Sequence, residues 1–481
     1  MLFNTKLFIL GFLPVTIVGF LVFGRLGRHA ALSWILCCSL AFYAWWKPIF
    51  VMLLMASILV NFAVGRKINA AKHRRIWLVS GLLFNLGLLG FFKYADFFAS
   101  LLGASPLFGG IFLPLGISFF TFQQVMYLVD TERGDIQTVP FLDYACFIAF
   151  FPHLIAGPIV RPRHILPQLA QLQPCVAWRE RLTAGLEIFL LGLAKKLVLA
   201  DGFAHFANPG FAAAARLDSI TLIEAWVALL AYALQIYFDF SGYSDMAIGL
   251  ARMFGIHFPI NFNSPYQARD ISDFWRRWNI TLSAFLREYL YIPLGGNRRG
   301  EVRRIFNLML TMLLGGLWHG AALRFVFWGG LHGAFLVVHG WSQRLGLRLP
   351  AMVSWLVTLF SVVLAWVPFR ADGFAAAMDF YRGLFGLNGI AIPAIYIRTL
   401  PILGHFGRSV PVLPYLGAAR TLSLPQAVLF LALGWLVALA LPGLHRMSRP
   451  RRSAALVASF ALSLQALFFA PYTVPFLYFQ F

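Results

Sequence analysis

Apolar residues along this chain gather into runs of bilayer-spanning length, separated by short connectors rich in arginine and lysine. The runs are Leu7 to Phe23, Ala30 to Trp46, Phe50 to Val64, Ile76 to Phe92, Leu182 to Ala200, Ile220 to Phe240, Ile305 to Trp318, Phe325 to Val338, Val353 to Val367, Ala427 to Leu441 and Ala454 to Ala470. Two more apolar segments, Ile111 to Val129 and Phe141 to Ile159, are interrupted by Pro114, Gly116, Pro152, Gly157 and Pro158. Interrupted segments tend to line cavities, because backbone groups freed from helical bonding need polar partners that lipid cannot supply. The pattern predicts an all-α integral membrane protein of about eleven crossings, with one or two broken or re-entrant elements, as a single domain over residues 1–481. The first run lacks a basic leader and a small-residue cleavage pattern, so it reads as a retained helix.

A different period runs from Asp273 to Tyr289. Phe274, Trp278, Thr281, Phe285 and Tyr289 fall on one side of a helix and Arg276, Ser283 and Arg287 on another, which predicts an amphipathic helix at the membrane surface. Ser272 is placed to cap its first turn, and Asp273 suits the positive end of its dipole. Its guanidinium groups can meet anionic lipid or the phosphates of a cytosolic donor.

Composition agrees with membrane residence: the chain is 60% hydrophobic and 12% charged, against roughly 45–50% and 25% in soluble domains. The formal net charge of +21 does not call for nucleic acid, because the basic residues sit in short loops between spans. Arg25 and Arg28 follow the first span, and Arg66, Lys67, Lys72, Arg74 and Arg75 follow the third. Both loops therefore fall on the cytoplasmic side, which puts the N-terminus outside. Cys37, Cys38, Cys146 and Cys175 have neither zinc spacing nor the look of a disulfide framework. The connectors Arg408 to Arg420 and His445 to Arg452 belong to plainer flanking scaffold, and no fixed-period repeat or inverted pair of halves is present.

Candidate chemistry is concentrated in the middle of the chain. His319, within Gly315-Gly316-Leu317-Trp318-His319-Gly320, ends an apolar run, and an ionisable group at bilayer depth marks a working site unless a neighbouring carbonyl satisfies it. Lys195 and Lys196 interrupt the Leu182 to Ala200 run near its end, which Asp201 closes, where lysines can snorkel toward the interface. Asp239 and Asp245 have short stems that cannot reach water, and a hydrogen-bonded network with Ser241, Tyr243 and Ser244 is expected around them. His332 lies thirteen positions after His319, a spacing that separates the two rings on a continuous helix, and Gly329, Gly330 and Gly333 beside it suggest close helix packing. His332 therefore reads as structural. Phosphate loops, nucleophile elbows and metalloprotease spacing are all missing from the sequence. His319 is left as the best general base, able when neutral to take a proton from an attacking hydroxyl. Asn279 can polarise a carbonyl or orient a donor.

Four blocks stand in a specific order: Asp239-Phe-Ser-Gly-Tyr-Ser-Asp-Met246, Phe274-Trp-Arg-Arg-Trp-Asn-Ile-Thr-Leu282, Tyr291-Ile-Pro-Leu-Gly-Gly-Asn-Arg-Arg-Gly300 and Trp318-His-Gly320. With Phe150-Phe-Pro-His-Leu-Ile-Ala-Gly-Pro-Ile159 and Lys195-Lys196, they resemble the membrane-bound O-acyltransferase family, in its bacterial alginate O-acetyltransferase branch, over about Leu113 to Gly340. The resemblance implies a helical fold around a funnel, His319 as its motif histidine and Asn279 as the upstream polar partner, where many bacterial relatives place histidine. It implies a donor site that includes Trp275, Arg276, Arg277, Trp278, Arg287 and Trp318, with Lys195, Asp239, Tyr243, Asp245 and His332 in support. An acetyl donor such as acetyl-CoA is implied as cytosolic substrate, with no bound cofactor and no metal. The acetyl unit is implied to cross the bacterial inner membrane toward a periplasmic or membrane-anchored acetyltransferase partner and then an exopolysaccharide, alginate first. Cellulose or peptidoglycan acetylation and D-alanyl transfer are the implied alternatives. From the residues alone, a flippase for a lipid-linked sugar using Asp239, Asp245 and Lys195, or a scaffold without chemistry, stays open.

Overall fold

The computed structural model describes residues 1–105, 112–416, 423–440, 449–469 and 476–477, without the side chains of 449–455 and 468–469. Ile111, Leu441, Ala470 and the connector stretches 417–420 and 441–448 lie outside the described residues. The chain is mostly helical, and the described residues of each apolar run fall largely within helices. Four of the described helices are long and apolar enough to cross a membrane: Ile49–Ala70, the continuous stretch Arg74–Leu101, Leu222–Met253 and Ala351–Arg370. The segment predicted to be interrupted breaks at Phe150, between helices Phe141–Ala149 and Phe151–Leu154, just before Pro152. Pro152 falls in the first turn of the second helix, where its missing N–H removes no intrahelical bond, so a new helix can start there. The helix Asp201–Ala215, which contains Pro209, and a short parallel strand pair, Ala391–Pro393 with Arg408–Val410, were not predicted.

Contacts divide the chain into two compact units. The first comprises Met1–Leu193, Gly242–Asn261 and Ser453–Phe468. Phe3, Phe8, Phe42 and Phe151 cluster in its core, with Tyr243 stacked on Phe3 at 4.7 Å between ring centroids. The same unit holds a fully buried group of amides: Asn61 donates to Asn85 and Gln124, and Ser57 donates to Gln124. Apolar surroundings strengthen such bonds and make an unpaired amide expensive, so this group fixes the packing of three helices. Arg28, read as a loop charge, is anchored by Asp143 at 2.7 Å and by the carbonyl of Leu169 at 3.0 Å.

The second unit comprises Ala194–Ser241, Phe262–Arg452 and Phe469–Phe481. Helices Gly300–His319 and Leu323–Arg344 pack against each other through glycine. A Cβ on Gly316 would collide with the carbonyl of Phe325, and one on Gly329 with the carbonyl of Met312. The expected glycine packing is therefore present at Gly329 and at Gly333, where a Cβ would meet Met309 Sδ at 2.7 Å, while Gly330 has ordinary room. The amphipathic segment is not one helix. It forms Ile271–Arg277 and Ile280–Leu286, separated at Trp278 and at Asn279, whose φ of 41° is left-handed. Asn tolerates that conformation better than most residues. The first helix is capped by Asp270, which accepts from the Asp273 N–H at 2.7 Å, and not by Ser272. The helix starts earlier than the pattern indicated, which moves the cap two residues back.

Candidate active site

His319 ends its helix, and Gly320 continues in extended backbone. The imidazole is 6% exposed, with the rings of Trp318, Trp328 and Phe369 edge-on at 4.9, 5.1 and 5.2 Å between centroids. It opens on a cavity of about 20 Å³ shared with Asp239, Trp278, Trp328, Trp366 and Phe369. Phe476 and Leu477, near the end of the chain, close another wall of it. By this measure the space holds about one water, so the walls suit a small reacting group and exclude a long chain.

Asp239 supplies this cavity with a carboxylate. Its Oδ1 lies 2.7 Å from Lys196 Nζ, and its Oδ2 accepts from the Leu477 N–H at 2.8 Å. Lys196 also meets Asp201 at 2.8 Å, and all three side chains are under 10% exposed. Lys196 therefore does not snorkel, because two buried carboxylates hold it in the interior. The partners expected for Asp239 are engaged differently: Ser244 accepts from Asn261, and Tyr243 stacks on Phe3. Lys195 and Asp245 are half-buried.

His332 is fully buried among Phe274, Trp275, Trp328 and Phe335. The prediction that its ring would stand apart from His319 assumed an unbroken helix. The chain breaks at Gly320, and both rings contact Trp328, His332 at 4.7 Å. Asn279 is 3% exposed at the helix break and is not among the residues lining the cavity.

A second cleft of about 450 Å³ is lined by Trp275, Arg276, Arg287, Arg304, Tyr291 and His339. Arg276 is largely exposed and lies 3.8 Å from Asp273, which Arg277 meets more closely, at 2.9 Å. Arg304 and Arg344 both bind Glu301, at 2.5 and 2.6 Å. The hydrogen bond from Arg304 is the main reason the Glu301 carboxyl is held below the usual range. Trp328 of the cavity and Leu336, His339 and Gln343 of the cleft follow one another along helix Leu323–Arg344 at helical spacing. Arg304, Trp328, Trp366, Phe369, Phe476 and the Lys196–Asp239 pair escaped the sequence reading. Only the helical spacing of Trp328 and His332, four residues apart, offered a signal.

The sequence profile of the membrane-bound O-acyltransferase family matches residues 86–369. A peptidoglycan O-acetyltransferase of Helicobacter pylori is 44% identical over 430 residues, covering 82% of this chain and 81% of that protein. A probable alginate O-acetylase of Pseudomonas aeruginosa is 39% identical, covering 85% and 81% respectively. A teichoic acid D-alanyltransferase of Bacillus subtilis is 28% identical, covering 48% of this chain and 60% of its own length.

Proposed function

This chain belongs to the membrane-bound O-acyltransferase family, and on that premise we propose that it moves acetyl groups from a cytosolic thioester donor across the bacterial inner membrane for O-acetylation of an envelope polysaccharide. It is a multi-pass membrane acyltransferase. The observation that carries the finer reading is His319, a buried imidazole facing a small aromatic cavity that also contains the carboxylate of Asp239. In this reading His319 takes the proton of the attacking hydroxyl. Asp239 stabilises the imidazolium that forms, through the charge it presents to the same space.

The arginines of the larger cleft supply charge-assisted bonds for donor phosphates, so the donor enters there with its acyl end directed toward His319. A donor of the acetyl-CoA type is consumed as substrate, and no bound cofactor or metal is required. The cavity is too narrow for a polymer, so a periplasmic or membrane-anchored acetyltransferase finishes the transfer. The basic connectors face the cytoplasm in this topology, which leaves the N-terminus in the periplasm.

Alginate is the acceptor suggested by the sequence blocks, and the 44% identity to a peptidoglycan O-acetyltransferase favours peptidoglycan as the second reading. Deletion of the gene followed by mass spectrometry of the host's polysaccharides tests the assignment. Loss of acetyl esters from one polymer, restored by the wild-type gene, is expected. Unchanged ester content in every polymer overturns it.

A further inference from the structure

We propose that Trp328 is a catalytic residue whose indole Nε1–H holds the oxyanion formed during acyl transfer. The inference rests on the reading of His319 as the base. Trp328 is 1% exposed, lines the His319 cavity, and meets the imidazole edge-to-face at 5.1 Å. Its Nε1–H is buried and has no hydrogen-bond acceptor among the described residues. A buried donor left unpaired is costly, and buried tryptophans normally find a partner. An unpaired donor beside a cavity is explained when a bound ligand brings the acceptor.

The reaction requires such a donor. The acceptor hydroxyl oxygen bonds to the acyl carbonyl carbon, the carbonyl π pair moves onto oxygen, and the hydroxyl proton passes to His319. The oxyanion then collapses, the carbon–sulfur bond breaks, and the departing thiolate takes the proton back from His319. Asp239 accepts hydrogen bonds and repels an oxyanion, while Asn279 lies outside the cavity lining. Trp366, whose Nε1–H is also without an acceptor among the described residues, packs on Trp278, Trp328 and Phe369, whereas Trp328 meets the imidazole itself. Trp328 is rigidly held: Trp366 stacks on it at 5.8 Å and an interplanar angle of 20°, and His332 packs at 4.7 Å. A donor fixed in advance is the arrangement that stabilises developing charge without reorganisation.

The test removes the N–H and keeps the ring. Trp328→Phe, and replacement of Trp328 by 3-benzothienylalanine, an isostere with sulfur in place of the N–H, are expressed as full-length protein in the native host lacking its own copy. Cells are pulsed with radiolabelled acetate, and the initial rate of base-labile acetyl incorporation into polysaccharide is measured per unit of protein. Both variants are expected to lose about a hundredfold in rate with unchanged apparent melting temperature in detergent. The benzothienyl variant decides the matter if Trp328→Phe fails to fold. A benzothienyl variant within threefold of wild type overturns the oxyanion role. His319→Ala run alongside separates the two readings: if it is inactive while the benzothienyl variant is active, only the Trp328 inference falls. Wild-type rates in His319→Ala remove the base on which it rests.

Discussion

Lys196 Nζ lies 2.7 Å from Asp239 Oδ1, forty-three positions away in sequence, with both side chains under 4% exposed. The pair connects a carboxylate of the His319 cavity to a second acid, Asp201. Removing one partner from a buried ion pair leaves an uncompensated charge and costs about 3–5 kcal/mol. Lys196→Met is therefore expected to lower the apparent melting temperature sharply, with Lys196→Met/Asp201→Asn/Asp239→Asn recovering most of the loss. Equal melting temperatures for the single variant and wild type contradict the arrangement.

The cavity walls set an acyl size limit. Phe476 is 2% exposed and lines the cavity. One extra methylene in an apolar pocket is worth about 1–3 kcal/mol of discrimination. Phe476→Ala is expected to reduce the preference for acetyl over propionyl donors about tenfold in competition assays. An unchanged preference places the limit elsewhere.

The arginine cleft is expected to act in donor binding and not in chemistry. A hydrogen bond to a charged group is worth about 1.5–3 kcal/mol, so Arg276→Ala should raise donor KM about tenfold and leave kcat intact. The effect should shrink in high salt, which screens exposed charges. A fall in kcat at constant KM would contradict this placement.

Two glycines on the paired helices Gly300–His319 and Leu323–Arg344 should respond differently. Gly316→Ala drives a Cβ into the carbonyl of Phe325 one turn before His319, whereas Gly330→Ala meets only Leu313 Cδ2 at 3.4 Å. Overpacking costs about 1–3 kcal/mol. Gly316→Ala is expected to lower both melting temperature and activity, and Gly330→Ala neither.

The sequence made the helices legible because an apolar run of bilayer length has few alternatives, and the described residues of each run fall largely within helices. His319 was legible for a related reason: its polarity stands out against Ile305 to Trp318. Lys196 showed beside Lys195 and Asp239 near Asp245, but the pairing of Lys196 with Asp239 depends on tertiary packing that no local pattern encodes. Trp328 and Trp366 sit in apolar runs, and Phe369 just beyond one, where aromatic side chains look the same whether they face lipid or a cavity. The break at Asn279 was hidden by a side-chain period that persists across it, since Phe274, Trp278, Thr281 and Phe285 are all buried despite the left-handed residue.

The central claim is that the His319 imidazole accepts the proton when the acyl group is transferred. Its most direct test is the initial rate of acetyl transfer by His319→Ala, in membranes carrying the intact protein, with and without added imidazole. A general base contributes about 10²–10⁴-fold, so the account predicts a loss of that size, partly restored by imidazole. Transfer at the wild-type rate by His319→Ala would contradict it.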